Sequence, residues 1–152
     1  MGWGVVEAEG SRMKLVNYGC VETKAGVPIQ NRLRTLQLGI RDVLAIYHPD
    51  EIAFEELFFS HNVTTALMVG AARGAAIIAA SEYTEALYEY TPMQIKQAVT
   101  GSGRADKKQV QQMVRLLLKM DEIPKPDDAA DAIACAITHC QAGVARAQFR
   151  MK

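Results

Sequence analysis

Ile52-Ala53-Phe54-Glu55-Glu56-Leu57 and Ala86-Leu87-Tyr88-Glu89-Tyr90 are two short, mostly apolar runs, separated by a stretch from Val63 to Ala80 built largely of alanine, glycine and aliphatic residues. Short apolar runs predict strands, while the longer one predicts a helix that Asn62 can cap. A strand, a helical crossover and a second strand make the unit from which α/β proteins are assembled. Upstream, Trp3 to Glu7 and Lys14 to Glu22 flank Glu9-Gly10-Ser11 and predict a hairpin. From Pro28 to Tyr47 the residues Ile29, Leu33, Leu36, Ile40, Val43, Leu44 and Tyr47 recur at three and four, which predicts an amphipathic helix that Pro49 ends.

Downstream the pattern is helical. Thr91-Pro92 opens a short helix to Val99, Gly101-Ser102-Gly103 breaks it, and further helices run from Asp106 to Lys119 and from Asp128 to about Arg146. The order β-β-α-β-α-β-α-α-α predicts a mixed sheet flanked by helices, in one domain over residues 1–152 with no dividing linker. Lys plus Arg and Asp plus Glu are each 17, so the formal net charge is zero and a uniformly basic polyanion binder is excluded. An odd set of three cysteines, Cys20, Cys135 and Cys140, points to reduced thiols and a cytoplasmic protein. The Val63–Ala80 stretch carries Thr64, Thr65 and Arg73 and is too rich in small residues for a membrane span.

Three features could carry chemistry. In Pro126-Asp127-Asp128-Ala129-Ala130-Asp131, Asp128 and Asp131 lie three apart at the start of a helix and so share a face. Paired carboxylates suit a magnesium ion, which keeps several waters and takes few protein ligands, although acids in a first helical turn also serve as ordinary caps. In the Ile52–Leu57 strand, alternation sends Glu55 and Glu56 to opposite faces, so at most one of them joins a common site, and a Glu at a solvated strand end is the ordinary alternative. Between Lys96 and Lys119 six basic residues (Lys96, Arg104, Lys107, Lys108, Arg115, Lys119) stand against the single acid Asp106. That local excess reads either as a phosphate-binding surface or as a solvated helix face. The glycine turn before it would offer free backbone N–H groups to a phosphate. Phe58 and Phe59, just past the Glu55 strand, could stack on unpaired bases or fill the core. His139 is eleven residues beyond Asp128, about 16 Å at the helical rise, so it cannot share an ion with it. His139, His48, Cys135 and Cys140 are therefore taken as structural.

Four segments together, Phe54-Glu55-Glu56-Leu57-Phe58-Phe59, Thr65 to Gly74 (TALMVGAARG), Tyr90 to Val99 (YTPMQIKQAV) and Asp128-Ala129-Ala130-Asp131-Ala132, resemble the RuvC family of Holliday-junction resolvases. The likeness extends from Gly2 to about Gln141 and includes Gly101 to Val114. It implies an RNase H-like fold, a homodimer, and magnesium-dependent nicking of opposed strands at a four-way DNA junction. Mn2+ is expected to substitute, with two ions per site and a branch-migration helicase complex as partner. By motif, Glu55, Asp128 and Asp131 match the family's metal-holding carboxylates. Phe58 matches an aromatic that engages bases at the junction centre, and Lys96 and Lys107 match lysines near the cleaved strand. Arg104, Lys108 and Arg115 complete the expected DNA-binding set.

The family's pattern opens with a strand ending in Asp-Pro-Gly, whose Asp is a metal ligand, whereas Met1-Gly2-Trp3-Gly4-Val5-Val6 matches its second strand. The resemblance therefore implies a truncated sheet, with the central strand and one carboxylate missing and two unpaired strand edges left inside it. Impaired cleavage is the expectation that follows. A non-catalytic junction-binding protein is the alternative, and a third reading is a dimer whose sheet another chain completes.

Overall fold

The computed structural model describes residues 1–57 and 63–152. A hairpin of β1 (Gly2–Glu9) and β2 (Arg12–Cys20) leads to α1 (Ile29–Tyr47), β3 (Ile52–Glu55), α2 (Val63–Ser81), β4 (Leu87–Tyr90), α3 (Pro92–Thr100), α4 (Lys107–Leu117) and α5 (Asp127–Ala142), with a 3-10 segment at Gly143–Phe149. The expected element order is observed. Helix ends differ by a few residues for local reasons. His48 takes a left-handed backbone (φ 45°) and its N–H closes on Leu44, ending α1 before Pro49 is reached. Lys119 lies past the end of α4 at φ 52°, and α5 stops at Ala142 because Gly143 has φ 51°. The cap expected from Asn62 lies outside the described residues.

The strands form a mixed α/β arrangement in two pieces. β1 and β2 pair antiparallel with a bulge at Val5/Val6, while β3 and β4 pair parallel in the register Ile52↔Leu87 to Glu55↔Tyr90. Among the described residues no ladder joins the two pairs. Instead β1 and β3 both face a cavity of about 800 Å³, closed on one side by α5 and on the other by α1 and α2. The apolar face of α1 expected to enter the core lines this cleft: Leu33, Leu36, Ile40 and Val43 all border it, and only Leu36 and Leu44 of α1 are fully buried.

α5 holds the pieces together. Ile133 and Ile137 are fully buried, in a core shared with Tyr88, Tyr90, Ile95, Val99, Val110 and Val114. A smaller core of Leu44, Ala80 and Leu87 lies on the α1/α2 side. β1 approaches α5 so closely that a Cβ on Gly2 would sit 1.9 Å from the Asp128 carbonyl oxygen, and one on Gly4 2.7 Å from Ile133 Cγ1. Only glycine permits this contact. Burial of Cys135 pushes its thiol pKa up to about 12, in keeping with a structural role.

His139 is buried in a polar cluster that sequence reading did not anticipate. Its Nδ1 lies 2.8 Å from the Tyr90 hydroxyl and its Nε2 3.1 Å from Glu51 Oε2. The Tyr88 hydroxyl donates to Glu51 Oε1 at 3.0 Å, and Arg146 pairs with Glu51 Oε2 at 3.1 Å. With Tyr90 donating to Nδ1 and Nε2–H donating to Glu51, the neutral ring satisfies both partners. Desolvation lowers the His139 pKa from 6.5, outweighing the Glu51 carboxylate that raises it. A depressed histidine pKa favours the folded state fully above the unfolded value and loses that contribution as pH falls below it. Thermal unfolding measured from pH 7 to pH 5 is therefore expected to show a steeper fall in midpoint for the wild type than for His139→Gln.

Candidate functional site

Glu55 ends β3, and the parallel ladder fixes its direction. Glu56 N–H donates to the Tyr90 carbonyl at 2.8 Å and Ile52 N–H to that of Ala86 at 3.1 Å, so the even-numbered residues bond to β4. The backbone groups of Ala53 and Glu55 consequently point to the open edge. Ala53 packs into the α5 core while Phe54 packs into the other, which places the Glu55 side chain on the α5 face and Glu56 opposite. Of the two acids, Glu55 is thus the one that joins the site. As a residue it is solvent-exposed, yet packing around its carboxyl removes enough water to raise its pKa, and the Asp131 carboxylate raises it further against the pull of Lys107 and Lys96.

Asp128 and Asp131 both border the large cleft together with Glu55. A second recess, of about 260 Å³, is lined by Glu55, Asp131, Lys96 and Lys107, with Pro92, Ile95, Val110 and Ala134 as its apolar walls. Residues far apart in sequence, from β3, α3, α4 and α5, converge there. Lys107 Nζ lies 3.3 Å from Oδ2 of both Asp127 and Asp131, and Gln111 donates to Asp127 Oδ1 at 3.1 Å. Desolvation opposes the Lys107 charge, but the two aspartates outweigh it and its pKa is raised. The Asp127 pKa is lowered by its hydrogen bonds from Lys107 and Gln111.

Asp127 is the acid that the spacing argument passed over. It stands four before Asp131, on the flank of α5 turned to α4, whereas Asp128 stands beside β1 at Gly2. The all-oxygen, carboxylate donor set of Glu55, Asp128 and Asp131 fits a hard divalent cation such as Mg2+, which needs only one or two protein carboxylates and fills the rest with water. Among the described residues no three acidic, histidine or cysteine side chains converge into a closed metal cage. An open, water-rich site of this kind is compatible with that spacing.

The remaining basic residues lie elsewhere. Lys108 and Arg104 are exposed outside the recess, and Arg115 bonds Gln112 at 3.4 Å along α4. The expected phosphate cradle in the glycine turn is corrected by the structure, because its N–H groups are already used. Gly103 N–H donates to Gln97 Oε1 at 3.0 Å, Ser102 N–H to Thr100 Oγ1 at 3.1 Å and Arg104 N–H to Ser102 Oγ at 3.3 Å. Asp106 caps α4 in a reciprocal box with Gln109, which takes up the N–H groups of both residues. Phe58 lies outside the described residues.

Comparison with known proteins matches this arrangement. Residues 1–139 fit the family model described as crossover junction endodeoxyribonuclease RuvC. A protein of that name from Alkaliphilus metalliredigens is 45% identical over 152 residues, spanning 100% of this chain and 93% of the relative. One from Brevibacillus brevis is 53% identical over 141 residues, spanning 93% and 85%. The solved structure of Thermus thermophilus RuvC in complex with a Holliday junction substrate superposes with a TM-score of 0.87 at 38% identity, covering 97% of this chain and 89% of that one. With a family model over residues 1–139 and close relatives along nearly its whole length, the chain belongs to the RuvC family of crossover junction endodeoxyribonucleases.

Proposed function

We propose that this protein is a structure-selective endonuclease that resolves four-way DNA junctions during recombination and repair. The observation that carries the proposal is the recess in which Glu55 and Asp131 lie beside Lys96 and Lys107, acids and bases at one point on an otherwise charge-balanced chain. The likeness to a RuvC structure bound to a Holliday junction supports the choice of substrate.

In this reading Lys96 and Lys107 receive the phosphate backbone, and Glu55, Asp128 and Asp131 hold Mg2+, or Mn2+ in its place, as two ions per site. Ions bound there would supply an activated water and charge stabilisation at the leaving oxygen. Lys107 does double duty: it neutralises Asp127 and Asp131 and stands at the mouth through which a phosphate enters. Phe58 engages bases at the junction centre, and Arg104, Lys108 and Arg115 extend the backbone contact.

In this reading the open edges of β1 and β3 can receive a further strand such as the resemblance implies. A variant carrying such a strand with its Asp is expected to cleave more strongly than the 152-residue chain. Lys107 standing on the aspartate pair favours, as a second reading, a protein that binds junctions without cutting them. The two readings separate on one gel, since the second predicts junction binding with no strand scission in either form.

A homodimer through α2 is part of the proposal. Leu67 and Ile78 are 66% and 54% exposed on the same side of this helix, with Ala71 and Gly74 between them. A helix with apolar residues on its outer side and small ones between them allows close approach of a second helix. Among the described residues no helix is long and apolar enough to cross a membrane. A cytoplasmic location and a branch-migration helicase complex as partner complete the reading.

Cleavage of a labelled four-way junction in Mg2+ is expected to fall about 100-fold or more in Glu55→Gln and Asp131→Asn, measured in the strand-extended chain. Lys96→Ala and Lys107→Ala are each expected to weaken junction binding and to reduce the slope of log affinity against log salt by about 1, read by gel shift at several salt concentrations. Leu67→Glu with Ile78→Glu should convert a dimer to a monomer in sedimentation velocity. A wild type that sediments as a monomer at the same concentration would remove the α2 interface.

A further inference from the structure

Arg73 is the only charged residue of α2, set in a helix of alanine, glycine and aliphatic residues. Its side chain is 19% exposed and makes three contacts at the carboxyl-terminal end of β3. Nη2 pairs with Glu89 Oε2 at 2.8 Å, Nε donates to the Glu55 carbonyl oxygen at 3.2 Å, and the guanidinium lies over the Phe54 ring at 5.8 Å from its centroid. We propose that Arg73 is a positioning residue for Glu55, pinning the end of β3 so that the Glu55 carboxylate is held at the recess it shares with Asp131. The proposal rests on Glu55 being a metal-holding residue, as above.

The need for such a pin follows from the ladder. β3 is four residues long and is bonded on one side only, through β4. Glu55 is its last residue, and its carbonyl points away from β4, where among the described residues no strand takes it. A short, one-sided strand end frays most easily at that position. Arg73 donates to that carbonyl in charge-assisted form and, through Glu89, ties the same point to β4. Arginine suits the task because one planar group serves the carbonyl, the carboxylate and the ring together, whereas a lysine ammonium is a single point. An ordinary surface ion pair would account for the Glu89 contact but not for the donor aimed at the Glu55 backbone. Glu55 faces α5 and Arg73 lies on α2, so the residue acts from the far side of the sheet, without touching the recess.

Titration of the full chain with Mn2+, followed by electron paramagnetic resonance of the free ion and paired with thermal unfolding, tests this directly. Glu55→Gln is expected to lose most of the affinity, Arg73→Ala to weaken it about tenfold, the size seen when groups that orient a metal ligand are removed, and Arg73→Lys to fall between. The Arg73→Ala/Glu55→Gln double variant should bind no worse than Glu55→Gln alone, since residues acting through one another are not additive. Should Arg73→Ala not fold, Glu89→Gln carries the test, with a smaller loss in the same direction. Unchanged Mn2+ affinity in Arg73→Ala, or in Glu89→Gln in its place, while Glu55→Gln weakens binding, overturns the role given to Arg73. No effect of Glu55→Gln overturns the metal reading of Glu55 and the Arg73 proposal with it.

Discussion

The contact on which this structure depends is the seating of α5 on β1. Two pairs of strands that, among the described residues, share no ladder are held in one body because a single helix lies across both, burying Ile133 and Ile137 completely. The seat exists because Gly2 and Gly4 have no side chain at the points where the helix backbone arrives. Shift the helix outward by the width of a methyl group and the aspartates at its start move with it. The same packing that stabilises the fold therefore fixes where Asp128 and Asp131 stand, and it does so at backbone precision rather than through flexible side chains.

The recess at the other side of α5 is a compromise between charge and burial. The Asp131 carboxylate raises the cost of ionising Glu55, and Lys107, paired with Asp127 and Asp131, relieves part of that cost. Like charges brought together under partial desolvation weaken a fold unless a cation accompanies them. In this protein the cation is on the chain itself, at the end of a helix whose own first turn is capped by Asp106 and Gln109. The capped start of α4 thus sets the backbone position from which Lys107 reaches both aspartates.

Most elements were legible in the sequence because their periodicity is strong: the hairpin, the α1 stripe, the capped α3 and the strand alternation that separates Glu55 from Glu56. That Asp128 and Asp131 border one cleft was legible as helical spacing. Asp127 was not, because its role depends on α4 lying against α5, which no local pattern encodes. The glycine turn misled for a related reason. Gly101 and Gly103 mark a turn correctly, but the side chains of Gln97 and Thr100 already satisfy its backbone, and a motif of glycines does not reveal what fills its donors. Arg73 carried a signal in retrospect, as a lone charge in a small-residue helix. Its target, a single carbonyl on an open strand edge, becomes visible only once the sheet is known.

The cleft between β1 and β3 has an electrostatic consequence. Aliphatic residues of α1 and α2 line one side of it, and Glu55, Asp128 and Asp131 border the other. Apolar side chains beside charged groups displace polarisable water and lengthen the reach of each charge. The acids at the start of α5 and the end of β3 therefore act on a cation with less screening than the same residues would on an open surface.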